Sequence, residues 1–193
     1  AERIEVIQGP ATAVFGTNAM HGVINVLSEF SAADSAPAML VLTAGPHDYQ
    51  RASLRTNANV RQHGLGLRLT GVSDGGYLDD SGYDQQKMSV LHRYEGGEWQ
   101  FDSVLEATNL NQETAGFIAG FEAYKDEALR TSNPNPEAYR DTWSLRALTR
   151  FSRQLAGKHN LQLTPYLRSN AMEFMQHFLP WKAIEKNGHR SVG

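Results

Sequence analysis

Residues 1–29 read Ala-Glu-Arg-Ile-Glu-Val-Ile-Gln-Gly-Pro-Ala-Thr-Ala-Val-Phe-Gly-Thr-Asn-Ala-Met-His-Gly-Val-Ile-Asn-Val-Leu-Ser-Glu. Ile4, Val6 and Ile7 supply a first apolar run, and Gly9-Pro10 stops it, because Pro10 has no N–H to give a ladder. Ala11 to Phe15 are compact enough for one helical turn, with Gly16 free to take a positive φ behind it. Val23, Ile24, Val26 and Leu27 form a β-branched run that reads as a second strand. Physical chemistry alone leaves two arrangements open here, a βαβ-like unit and a β-turn-β fragment, and neither implies a reaction.

Outward from this stretch the pattern changes. Phe30 to Pro37 is rich in Ser, Ala and Asp, a linker composition, and a domain boundary is expected after residue 33. Met39 to Ala44 is a short β-prone run, and from Tyr49 onward apolar and polar residues alternate with period two. Ala52, Leu54, Thr56 and Ala58 oppose Arg51, Ser53, Arg55 and Asn57; Trp143, Leu145, Ala147 and Phe151 oppose Ser144, Arg146 and Arg150. Leu91 and His92 interrupt the alternation in their segment. About seven strands result, most near the ~9–11 residues of a tilted membrane strand and longer than the ~5–6 usual in soluble sheets.

The connections alternate in length. Short turns are expected at Asn59–Gln62, Glu95–Glu98 and Ala156–Lys158, and long polar segments at Asp74–Asp84, Asn111–Ala138 and Met172–Asn187. Gly45-Pro46 is the one short connection on the long side. Long loops confined to one end are a property of outer-membrane barrels. Arg51, Arg55, Arg68, Arg93, Arg146, Arg150 and Arg168 all fall on the polar face, whereas an Arg turned to lipid costs about 2–4 kcal/mol at the bilayer midplane. Trp99, Tyr94, Trp143 and Tyr139 lie near strand ends, as an interfacial girdle requires.

The wording of the first stretch adds a family. Glu2-Arg3-Ile4-Glu5-Val6-Ile7, Gln8-Gly9-Pro10, Phe15-Gly16-Thr17-Asn18-Ala19 and Gly22-Val23-Ile24-Asn25-Val26 closely resemble the end of the plug domain of TonB-dependent outer-membrane receptors. Gln8 stands where Arg is commoner, Thr17 replaces Ser, and Met20-His21 precede Gly22. The resemblance implies residues 1–33 as the C-terminal part of an α/β plug and 34–193 as the N-terminal part of an antiparallel membrane β-barrel that the family builds from 22 strands. It implies structural and gating roles for Arg3, Glu5, Gly9, Pro10, Gly16, Asn18, Gly22 and Asn25, with Arg3 and Glu5 either locking the plug to the barrel wall or simply lining an exposed strand edge. The implied partners are outer-membrane lipid, a large scarce nutrient such as a ferric siderophore or other iron complex, and the TonB energy-coupling protein, reached through an upstream segment. The chain thus reads as an internal piece of a longer protein in the outer membrane.

Composition narrows the alternatives. The chain has 193 residues, no Cys, a formal net charge of -3 and 40% hydrophobic residues, with a mean hydropathy of -0.46. Nothing in that balance points to nucleic acid, and thiolate chemistry and Cys-based zinc sites are excluded. His21, His47, His63, His92, His159, His177 and His189 show no metal-ligand spacing in sequence, so no metal or cofactor is expected; His177 and His189 fall in a predicted outer loop and are the candidate ligand contacts. No G-x-S-x-G elbow or phosphate-cradling loop is present. The acidic groups Asp79-Asp80 and Glu122 to Glu127 are expected to be solvated rather than catalytic, so the chain is not read as an enzyme. Competing readings are a passive porin-like or adhesive barrel, a receptor of the same family for cobalamin or another nutrient, and a soluble β-rich domain.

Overall fold

A computed structural model describes residues 3–12, 19–27, 38–155, 159–175 and 187–192. The chain divides into two compact units, Ala1–Ser35 and Ala36–Gly193. In the first, β1 (Arg3–Gln8) and β2 (Gly22–Leu27) pair antiparallel, from Arg3 opposite Leu27 to Gln8 opposite Gly22. This antiparallel register rules out a parallel βαβ unit. Gly9, at φ +93°, and Pro10 end β1, and the Ala11 N–H donates to the Ala19 carbonyl at 2.9 Å, closing the base of the connection. Most of the expected helical turn at Ala11–Phe15, together with Gly16 and Asn18, lies outside the described residues.

The second unit is one antiparallel sheet. Its strands are β3 (Ala38–Ala44), β4 (Gln50–Val60), β5 (His63–Asp74), β6 (Tyr83–Gly96), β7 (Trp99–Glu113), β8 (Tyr139–Leu155), β9 (His159–Leu163), β10 (Tyr166–Met175) and β11 (Asn187–Val192). Each pairs with its sequence neighbour, except that β9 and β10 both lie along β8. Phe151 faces Leu163 and Leu148 faces Tyr166, so the register is unbroken across Thr164-Pro165. Pro165 has no N–H to donate, which interrupts one long strand without shifting it; its carbonyl still accepts from the Thr149 N–H at 3.1 Å. The sheet therefore has eight strand lines among the described residues, one more than the alternation predicts. The added one is β11, whose Asn-Gly-His-Arg-Ser sequence carries no apolar alternation and which is defined by pairing with β10.

Strands reach further than their apolar runs. β4 continues through Val60, β6 through Gly96 and β10 through Met175, which leaves two-residue turns at 61–62 and 97–98. The third short turn, 156–158, and residues 176–186 of the last long segment lie outside the described residues. The turns at 61–62 and 97–98 sit at one end of the sheet, and segments 45–49, 75–82 and 114–138 sit at the other.

The two faces differ as the pleat dictates. One row across β4–β8 reads Leu54, Leu69, Met88, Ala107, Leu145. The next row, on the opposite face, reads Arg55, Arg68, Ser89, Glu106, Arg146, Arg168. Among the described residues of this unit no second layer covers the apolar face: Leu40 is 62% exposed, Leu42 71% and Leu163 64%. A soluble sandwich would bury such a face under a second sheet about 10 Å away. A barrel wall leaves it for lipid.

Candidate functional site

Three regions gather the residues singled out by the sequence. In the β1–β2 hairpin, Arg3 and Glu5 form an ion pair at 2.6 Å, and the Asn25 amide donates to Glu5 at 3.0 Å. Glu5 and Asn25 are direct cross-strand partners, so the register itself brings them together. Gly22 is required by space, since a Cβ there would stand 2.9 Å from the Ile7 carbonyl oxygen. Four of the eight motif residues thus cooperate within the hairpin, and Gly9-Pro10 ends its first strand.

The polar face of the large sheet is the second region. All seven arginines named above fall on it by register, joined by Lys87, Asp102 and Glu106. Asp102 is 7% exposed, accepts from the Arg93 Nε at 2.7 Å and from the Gln100 amide at 3.0 Å. Glu106 pairs with Arg146 directly opposite it. Cations outnumber carboxylates on this face, which gives it a positive field. Leu91 belongs here too: it is 2% exposed, lies between Gly66 and Val104 in the ladder, and would touch a Cβ on Gly66 at 3.4 Å. Its apparent break in the pattern is a small apolar contact set among charges.

The third region is the long-loop end. Segments 75–82 and 114–138 are tied together: the Asp79 N–H donates to the Thr131 carbonyl at 2.7 Å, and the Asn133 amide donates to the Asp80 carbonyl at 2.9 Å. Asn133 Oδ1 also accepts from the Asn135 N–H at 2.9 Å. The acidic group in this loop has local tasks. Glu122 pairs with Lys125 at 2.6 Å, Glu127 with Arg130 at 3.2 Å, and Asp126 accepts the Ala128 and Leu129 N–H groups. The aromatic side chains stay exposed: Phe117 is 74% exposed, Phe121 96%, Tyr124 69% and, from the neighbouring segment, Tyr77 55%.

Of the two candidate ligand histidines, one lies among the described residues. His189 lies within β11 opposite Met172 rather than in a loop, because backbone pairing with β10 captures the segment that looked polar and irregular; His177 lies outside the described residues. Among the described residues no group of three or more His, Asp or Glu is arranged to hold a metal ion. No described helix is long and apolar enough to cross a membrane, which says nothing of strands. Sequence reasoning missed the His63–His92 contact, 3.0 Å between Nδ1 and Nε2. The spacing of 29 residues reveals it only once the β5–β6 register is known. At the same short-turn end, Tyr94, Phe101, Trp99 and Phe151 form a continuous ring contact chain, and Arg153 lies over Trp99 at 5.1 Å.

No family model matches the chain. It is 35% identical over 83 residues to the vitamin B12 transporter BtuB of Vibrio vulnificus (strain CMCP6), a match covering 43% of this chain and 13% of that protein. Its fold superimposes on the closed-form crystal structure of the ferric-catecholate import receptor Fiu from E. coli K12 with a TM-score of 0.70 at 15% identity, covering 98% of this chain and 30% of that one. The chain therefore spans under a third of either protein's length. The wording of residues 2–26 and the sequence likeness to BtuB point the same way, and the structural likeness shows the same barrel-type fold: the chain is similar to part of a TonB-dependent receptor.

Proposed function

We propose that the complete protein is an outer-membrane receptor that imports a ferric siderophore or other iron complex by energy-coupled rearrangement of a plug. The observation that carries the receptor reading is the aromatic tip Phe117, Phe121 and Tyr124, exposed on loops that hydrogen bonds hold against each other. Large apolar rings on a stiffened support lose little conformational freedom on binding, which favours capture of a bulky ligand. Residues 1–33 supply the end of the plug, and Arg3, Glu5 and Asn25 its internal polar clasp. Transport needs no covalent chemistry. An external energy source acting through the TonB partner shifts the plug between states of different ligand affinity.

Two features favour an iron complex: the positive polar face, which as the lumen wall suits anionic chelates, and the likeness to a ferric-catecholate receptor. The sequence match to a vitamin B12 transporter favours a second reading, cobalamin. Titrating the purified full-length receptor with ferric siderophores, haem and cyanocobalamin separates them. Saturable binding of a ferric complex alone is the expected result. Cobalamin binding alone would replace it with the second reading, and binding of none would sink both in favour of a passive or adhesive barrel.

A further inference from the structure

From the geometry of His63 and His92 we infer a two-imidazole site for a divalent transition-metal ion at the short-turn end of the barrel wall. His63 opens β5 immediately after the turn at 61–62, and His92 lies on β6 diagonally across the ladder, its direct partner being Leu65. Both side chains fall on the apolar face, where their rings stack with centroids 5.3 Å apart and planes 18° apart. Tyr94 tilts against His63 at 5.0 Å and fixes that ring from one side.

The two nitrogens that meet are His63 Nδ1 and His92 Nε2, 3.0 Å apart. Without a metal, one must donate an N–H and the other accept it. An ion replaces that shared proton when both nitrogens are neutral and offer lone pairs. At metal–nitrogen bonds of about 2.0–2.1 Å, the separation of 3.0 Å subtends an N–metal–N angle of about 91–97°. That is the cis angle of tetragonal and octahedral ions and is well below the ~109° of a tetrahedral one, so Cu²⁺ and Ni²⁺ fit better than Zn²⁺. Binding requires rotation about the two Cβ–Cγ bonds so that both lone pairs aim at one point. Water completes the coordination from the short-turn end, where His63 is the first residue of β5 after the turn at 61–62. The ion would clip β5 to β6 through side chains and so stabilise the folded wall by linkage.

The test uses the untagged full-length receptor in detergent or nanodiscs, titrated calorimetrically with CuCl₂ and NiCl₂, beside the single variants His63→Ala, His92→Ala and His92→Gln and the control His47→Ala. The wild type and the control are expected to bind one equivalent that each of the other three loses or holds at least tenfold more weakly. Saturating Cu²⁺ should raise the melting temperature of the wild type and the control but not of the variants. Equal stoichiometry and affinity in all five proteins, or no ion bound by the wild type, would overturn the proposal. Import and ligand binding are not read in this test, so its failure leaves the receptor reading untouched, and the converse holds too.

Discussion

Asp102 is the one charged side chain among the described residues that is buried, and its burial depends on Arg93 opposite it and Gln100 on its own strand. Removing the carboxylate takes from Arg93 its 2.7 Å partner, close to the turn at 97–98 on the polar face. Arg93 keeps partial solvent contact, so the cost is expected to be that of an unpaired buried polar group rather than of an isolated ion. Asp102→Ala should lower the stability of the folded receptor by about 1–3 kcal/mol, read as a lower urea midpoint for unfolding from lipid vesicles. Asp102→Asn, which still accepts one hydrogen bond, should fall between. A midpoint unchanged in both variants would show that the pair is screened. The same scale explains the hairpin clasp: Arg3, Glu5 and Asn25 were recognisable one by one, but their mutual contact follows from the register that sets Glu5 opposite Asn25.

At the scale of elements, each long strand separates two environments. Leu105 and Thr108 lie on opposite faces of β7, Leu105 among Val90 and Ala147, Thr108 among Lys87 and Ser144. Leu105→Arg should cost about 2–4 kcal/mol through exposure of a charge to lipid, and Thr108→Arg much less. The folded fraction recovered in vesicles reads the difference, and equal losses would mean that the faces have been assigned wrongly. The long-loop end makes a separate prediction. The Thr114 N–H and the Ala138 carbonyl are bonded at 2.9 Å at the base of the loop, so replacing 115–137 with a short Gly-Ser turn keeps β7 and β8 in register. Ligand binding should be lost while the barrel still inserts; a barrel that no longer folds would make the loop structural instead. Alternation made β4–β8 legible because each residue sees one of two media. It could not reveal β11, whose six residues lack that contrast and are placed by backbone pairing with β10.

For the whole molecule, β3 and β11 end the ladder among the described residues, and they do not pair with each other. Each presents a row of backbone groups that lipid cannot satisfy, at several kcal/mol per group in the bilayer core. The 193 residues produced alone should therefore aggregate, and a monodisperse soluble peak in gel filtration would contradict a barrel segment. By itself the sequence determined the strands whose sides alternate, the arginine face, the one-sided long loops and the family wording, because all of these are local patterns of side-chain chemistry. Only the tertiary structure decided the antiparallel hairpin, the clasp from Glu5 to Asn25, the inward burial of Leu91, the joining of the two loops through Asn133 and the meeting of His63 with His92. All but the loop contact depend on strand register, a long-range relation that no local pattern encodes: a shift of one residue leaves the composition of every segment unchanged and turns the strand side chains to the other face; the loop contact joins two segments 53 residues apart.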